Sequence, residues 1–148
     1  MSDKLQIAQK VFGEIKEKFP KISMYINSDP HPYMELLMDI PQQEALNFKI
    51  SLYLSGDELH INTRSLWLEL FPCTDPYVVE KYMDAVTGLL SGEYRILEHY
   101  YGEKAIKAQL QAPHGNKWKT IGTWSKLGLY LPWGRTTKIL QNKSRIKD

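Results

Sequence analysis

The chain reads as one α+β domain: an antiparallel sheet of about six to seven strands in a meander, with two helices packed on one face as a two-layer sandwich. Three observations predict it. Two segments place apolar residues at steps of three and four, with charged residues opposite, as an amphipathic helix does. Several other segments alternate apolar and polar residues, the period of a half-buried strand. Between the alternating segments lie turn clusters such as Ser55-Gly56 and Gly102-Glu103. They are too short for the crossover that parallel strands require, so neighbouring strands run antiparallel.

The first helix covers residues 3–19. Leu5, Ala8, Phe12, Ile15 and Phe19 form its apolar stripe, with Lys10, Glu14, Glu17 and Lys18 on the other face. Pro20 ends it, because a proline disfavours the helical conformation of the residue before it. Ile22, Met24 and Ile26 then alternate, Asp29-Pro30-His31-Pro32 turns, and Met34, Leu36, Met38 and Ile40 alternate again up to Pro41. Phe48, Ile50, Leu52 and Leu54 form the next strand. With Ser55-Gly56 as a two-residue loop, Leu52 would pair with Leu59, Ile50 with Ile61 and Phe48 with Thr63, all on one face. At Ser65 the apolar parity switches to Leu66, Leu68 and Leu70, which a bulge, a bend or a strand end would produce.

A second helix is expected over 76–91, with Asp75 as N-cap, Pro76 at the first helical position and Ser91-Gly92 at its exit. Three strands follow near 93–101, 104–112 and 117–124, turning at Gly102-Glu103 and His114-Gly115-Asn116. Two- and three-residue loops would give opposite facings for Leu97 and His99, so their register stays open. Leu127, Leu129 and Leu131 precede a Pro132-Trp133-Gly134 turn, and a basic tail is expected over about 135–148. The helix–strands–helix–strands order is loosely similar to the small secretion-chaperone domains that bind effector proteins; the likeness is one of architecture and involves no motif.

Composition narrows the function classes. The 148 residues carry a formal charge of +2 and 43% hydrophobic residues, ordinary for one globular domain. Charge is uneven: residues 126–148 hold six basic side chains against Asp148, a net +5, which leaves −3 for the first 125. Cys73 is the lone cysteine, so no internal disulfide is expected and the cytoplasm is the default compartment. No signal peptide or membrane span is read from the sequence, and no membrane partner is expected. The chain has no P-loop, no G-x-G-x-x-G and no G-x-S-x-G, and no cofactor is assigned.

Four constellations carry candidate chemistry. Glu58, His60, Asn62 and Arg64 alternate along one strand and would share a face, with His60 as acid/base, Glu58 as its orienter and Arg64 as anion clamp. The plainer alternative is the wet face of an ordinary strand. His31, His60, His99, His114 and Cys73 are the ligand types, yet they show no metal-ligand spacing, and no metal is assigned. Cys73 precedes a helix N-terminus, where a thiol can be activated; a small residue tucked into a turn is the plainer alternative. Trp118, Trp124, Trp133, Arg135 and Lys138 are the candidate binding residues. Trp118 and Trp124, six apart, would share a face of an unbroken strand, and the aromatic and basic mix suits stacking and phosphate neutralisation.

The leading expectation is a non-enzymatic protein-interaction module (adaptor, inhibitor or immunity-like, or chaperone-like) presenting a sheet face or edge to a protein partner or to a second copy of itself. A nucleic-acid or anion binder using the basic, aromatic C-terminal segment ranks second, held back by the low net charge. A small enzyme or ligand-binding domain using Glu58, His60 and Arg64 ranks third.

Overall fold

A computed structural model describes residues 3–28, 32–131 and 133–143. The element order is α1 (Asp3–Lys18), β1 (Tyr25–Asn27), β2 (Leu36–Ile40), β3 (Ile50–Ser55), β4 (Glu58–Thr63), β5 (Leu66–Leu70), α2 (Pro76–Ser91), β6 (Arg95–Tyr101), β7 (Lys104–His114), β8 (Lys117–Ser125) and β9 (Arg135–Leu140). The α+β class and the antiparallel pairing are as the patterns predict. The strands number nine among the described residues, and they divide into two sheets. The first is the meander β1-β2-β3-β4-β5; the second has the order β8-β7-β6-β9.

Sheet 1 carries the core. Leu36, Met38, Ile40, Ile50, Leu52, Leu54, Leu59 and Ile61 point to one face and are fully buried. Ala8, Phe12 and Ile15 of α1 and Tyr82, Val86 and Leu89 of α2 close over them in one continuous cluster. Burying aliphatic side chains of this size stabilises by about 1.5–3 kcal/mol each, so this face is where the fold derives most of its cohesion. The Tyr82 hydroxyl satisfies itself inside that layer by donating to the His60 carbonyl at 2.7 Å.

Helix α2 is delimited as its sequence predicts. Asp75 accepts from the Tyr77 amide at 2.9 Å, and Gly92 adopts φ 80° as C-cap. Tyr94 then folds back so that its ring lies where a Cβ on Gly88 would be, 2.0 Å away. Its hydroxyl donates to the Asp84 carboxylate at 2.9 Å.

The hairpins explain two departures from expectation. In the β3–β4 hairpin Leu52 pairs with Ile61 and Leu54 with Leu59, so the loop is Gly56-Asp57 rather than Ser55-Gly56. The correction shifts each partner by two residues and leaves the faces unchanged. Gly56 has φ 63°, so glycine occupies the first loop position, where a two-residue turn needs positive φ. Gly102-Glu103 and Gly115-Asn116 repeat this arrangement, fixing Leu97 and His99 on the sheet face opposite the buried Ile96 and Glu98. The parity switch at Ser65 is a fourth two-residue turn, Arg64-Ser65, with Thr63 paired to Leu66.

Residues 135–140, expected as part of a basic tail, form β9 along β6, with Leu140 opposite Ile96. The chain then docks. Asn142 is buried, accepts from the Asn47 amide at 2.7 Å and donates to the Leu89 carbonyl at 3.0 Å. Its side chain thereby joins the end of sheet 2 to the β2–β3 loop and the last turn of α2. The remainder of the expected tail, 144–148, lies outside the described residues.

The two sheets meet where β5 approaches β8. Leu68 packs against the bare backbone of Gly122, where a Cβ would stand 2.8 Å from it. Ile96, Ala108 and Leu110 of sheet 2 join the buried cluster from this side.

Candidate functional site

The Glu58–His60–Asn62–Arg64 row does not come together as one site. Glu58 and His60 do: His60 Nε2 lies 3.2 Å from Glu58 Oε1. The other ring nitrogen, Nδ1, accepts from Trp67 Nε1 at 2.9 Å. An indole N–H can only donate, so the imidazole proton sits on Nε2 and faces Glu58. Tyr53 stacks on the ring with centroids 4.4 Å apart at 10°, and Trp67 flanks it at 5.9 Å. His60 is 4% exposed, with both ring nitrogens engaged. It is a closed aromatic stack on the helix-free face of sheet 1, with no nitrogen presented for proton transfer.

Arg64 turns elsewhere. As first residue of its turn it takes φ 53°, the position that glycine fills in the other three hairpins. Positive φ costs a non-glycine residue about 1 kcal/mol or more, so something must hold it there. Glu98 of sheet 2 does so. It is 1% exposed and accepts from the Ser65 amide at 3.2 Å, from the Ser65 hydroxyl, and from Tyr100 Oη at 2.8 Å. The Arg64 guanidinium lies 3.7 Å from it. Burial, then the hydrogen bond to Glu98 and its charge, push the Tyr100 hydroxyl pKa up. Arg64 also borders a polar hollow of about 380 Å³ with Asn47, Ser51 and Asn62; Glu58 and His60 do not.

The candidate tryptophans separate. β8 carries an extra residue, Ile121, where the register shifts between Leu110 and Gln111. This bulge reverses facing along the strand, so Trp118 and Trp124 lie on opposite faces rather than sharing one. Trp124, opposite Ala108, packs on the core. Trp118 faces outward, beneath the Arg95 guanidinium at 4.2 Å, and Arg95 is held by Gln111 Oε1 at 2.9 Å. His99, Gln109 and Thr120 continue this outer face as a hydrogen-bonded row. Lys138 stands opposite Glu98 in register, with its side chain exposed.

Charge divides by sheet. Residues 1–93 hold 8 basic and 14 acidic side chains, net −6; residues 94–148 hold 11 and 3, net +8. Within strands β6–β9 there are seven cations and one carboxylate, the buried Glu98. The basic character that the sequence assigns to the last 23 residues belongs to the whole second sheet.

The two most exposed large apolar residues among those described, Leu127 and Leu129, lie at one end of that sheet. In the β8–β9 connection Leu127 is 96%, Leu129 103% and Trp133 69% exposed, with Leu131 beside them. The segment is nonetheless tied down. Lys126 N–H donates to the Ile106 carbonyl at 2.8 Å, Arg135 Nη2 to the Tyr130 carbonyl at 2.9 Å, and Gly102 N–H to the Gly134 carbonyl at 3.2 Å. The Tyr130 ring packs on Tyr101 at 5.5 Å. Lys104 and Arg135 flank Tyr101 in register, Lys107 lies opposite Ser125 and Lys126 begins the connection, so four cations and the carboxylate of Glu103 fall at this end of the sheet. Cys73 is buried, donates its amide to the Asp57 carbonyl, and burial pushes its thiol pKa up, the opposite of activation. His31 lies outside the described residues, and among those described no three His, Cys, Asp or Glu side chains are grouped to hold a metal ion.

No family model, no curated protein and no solved structure matches the chain. No helix among the described residues is long and apolar enough to cross a membrane. Trp133 and Arg135 are candidate binding residues from sequence alone; the leucines beside them are not. Their signal was legible as a Leu-x-Leu-x-Leu run inside a segment rich in Gly and Pro, where no strand or helix could bury all three.

Proposed function

We propose that the protein is a non-enzymatic interaction module, and that the basic end of sheet 2 receives an acidic protein partner, with Leu127, Leu129, Leu131 and Trp133 entering an apolar recess on it. The observation that supports this reading is the exposure of those four side chains at the end of sheet 2 that also carries Lys104, Lys107, Lys126 and Arg135. Each large apolar side chain moved from water into a partner contributes about 1.5–3 kcal/mol, and tryptophan and arginine are the residues most often central to interfaces. Basic residues around the apolar tip would speed encounter with an acidic surface and set its orientation. The reading sets the protein in the cytoplasm, where the thiol of Cys73 stays reduced.

The test is capture of the tagged protein's partner from host lysate, with nuclease, by the parent and by Leu127→Ser/Leu129→Ser. Both side chains are solvent-exposed, so the double variant should fold with unchanged stability. One stoichiometric protein retained by the parent and lost by the variant is the expected outcome. Equal retention by both would remove the loop from the proposal.

A second reading has its own observation: the outer face of sheet 2 carries Arg95, Lys107 and Arg135 beside Trp118, His99 and Tyr101, with no carboxylate. Such a face suits single-stranded nucleic acid, which stacks on aromatic rings and is held through its phosphates. Binding would then fall steeply with salt, and Arg95→Ala/Trp118→Ala would weaken it while the leucine variant would not.

A further inference from the structure

The helix-free face of sheet 1 is open and acidic. Directly opposed residues of an antiparallel pair share a face. The register therefore sets Tyr53, His60 and Glu69 side by side on it, with Asp39 and Trp67 in the neighbouring row. Glu58 begins β4 on the same face, and Tyr25 stands opposite Asp39. No strand position on this face holds a lysine or arginine. Burial raises the Tyr53 hydroxyl pKa first, and the charges of Glu69 and Glu58 act in the same direction, so both carboxylates gather at the aromatic row. Trp67 is 44% and Tyr25 62% exposed. The outer face of sheet 2 is the counterpart. Arg95 and Lys107 lie on it together with Lys104 and Arg135, which flank Tyr101 in register, and no strand position there holds a carboxylate. Both helices pack on the core side, so each of these faces is left bare and carries charge of one sign.

We infer that the chain associates with copies of itself, the basic outer face of sheet 2 of one copy seating on the acidic helix-free face of sheet 1 of another. The chain is near neutral, +2 overall, yet keeps its two signs on separate faces, so what one face lacks the other supplies. The charges also match in spread. Asp39 and Glu69 lie three strands and two residues apart. Arg95 and Lys107 lie one strand and four residues apart. Both spans come to about 15 Å, so two ion pairs can form at once across the contact. Sheets stack face to face at about 10 Å, within reach of lysine and arginine side chains. Exposed ion pairs alone contribute little, and the half-open Trp67 and Tyr25 rings add the apolar contact they lack. Nucleic acid on the basic face would leave the acidic face without an occupant; a second copy accounts for both. The contact joins unlike faces, so it can extend beyond a pair.

The inference does not use the leucine loop and is tested apart from it. The nuclease-treated full chain is followed by analytical ultracentrifugation over a concentration series at low and high salt. The parent should associate with a dissociation constant of about 10 μM or tighter at about 0.05 M salt, and about tenfold more weakly at about 0.5 M, where exposed charges are screened. Glu69→Lys and Lys107→Glu each reverse one charge, on opposite faces, at side chains that make no hydrogen bond or ion pair among the described residues. Each variant alone should associate about tenfold more weakly than the parent. Equal parts of the two should recover the parent's affinity, because the intact basic face of the Glu69→Lys protein meets the intact acidic face of the Lys107→Glu protein. Mixing would not mend a damaged fold. The Leu127→Ser/Leu129→Ser variant should associate as the parent does. A parent that stays monomeric at low salt would overturn the inference, as would association seen only before nuclease treatment or lost with the two leucines. Single variants that match the parent, or a mixture that stays as weak as its components, would overturn it too.

Discussion

The two sheets are built from the same antiparallel hairpins, three of which turn on the same glycine-first pair, yet they serve different ends. Sheet 1 has one face under α1 and α2 and, on the other, the His60 stack with every ring nitrogen engaged. Sheet 2 adds Ile96, Ala108 and Leu110 to the core from one face. Its other face holds arginine, tryptophan, histidine and glutamine side chains in half-open rows. The first 93 residues are net acidic and the last 55 net basic. Cohesion is therefore concentrated in the first sheet and exposed chemistry in the second, and substitutions should divide along that line.

The largest effect should come from the helix–sheet layer. Phe12 is fully buried against sheet 1, so Phe12→Ala should lower stability by about 3–5 kcal/mol, the cost of lost transfer energy plus a cavity. Thr123→Ala, on the outer face of β8, should stay within about 0.5 kcal/mol. Urea denaturation midpoints at constant m-value measure both. Comparable losses at the two positions would mean that the outer face of sheet 2 is part of the core in solution.

The next effect probes whether the two sheets unfold as one. Glu98 is the carboxylate by which sheet 2 grips the Arg64-Ser65 turn of sheet 1. Glu98→Ala strands the Ser65 and Tyr100 donors and removes the counter-charge of Arg64, for a loss of about 3 kcal/mol. A cooperative wild-type transition that splits in two in this variant would show the sheets to be separable; a single transition shifted to lower urea would show that packing at Leu68 and Gly122 suffices. A smaller effect isolates the backbone of the same turn. Arg64→Gly and Arg64→Ala remove the same guanidinium, but only glycine is relaxed at φ 53°. The glycine variant should be more stable than the alanine variant by about 1 kcal/mol. Equal stabilities would contradict the left-handed conformation.

What the sequence disclosed divides along the same seam. α1, α2 with both its caps, and the core face of β2–β4 were legible because period and capping are local signals. The hairpin register missed by one step: Ser55-Gly56 and Gly56-Asp57 are both acceptable two-residue loops, and only the backbone decides where positive φ falls. Sheet 2 was read less well. Its separation from sheet 1, and β9, depend on long-range pairing; the run Thr136-Thr137-Lys138-Ile139 has β-branched residues but its charge suggested a tail. The facing of Trp118 and Trp124 turned on a bulge that no residue pattern announces. Arg64 looked like a member of the His60 row because alternation puts it there, and it left that row because Glu98, 34 positions later, holds the turn.

The smallest effect sits where the two halves join. Tyr94 follows α2, lies on Gly88 and donates to Asp84. Burial first, then the hydrogen bond to Asp84 and the charges of Asp84 and Glu93, raise its pKa to about 12 from an ordinary 10. The neutral phenol is thus favoured by the fold. Above pH 10 the unfolded chain gives up this proton before the native chain does, so its stabilisation is intact below pH 10 and is lost as pH rises toward 12. Tyr53, Tyr82 and Tyr100 are raised as well and act with the same sign, so the wild-type protein should lose stability progressively above pH 10. Tyr94→Phe should cost about 0.5–1 kcal/mol at pH 8, the worth of one partly exposed hydrogen bond, and that difference should shrink as pH approaches 12. Urea melts of both proteins at pH 8, 10 and 11 measure it. Parallel curves across that range would mean that the Asp84 contact is not formed in solution, and that α2 is joined to β6 by the fit of ring to glycine alone.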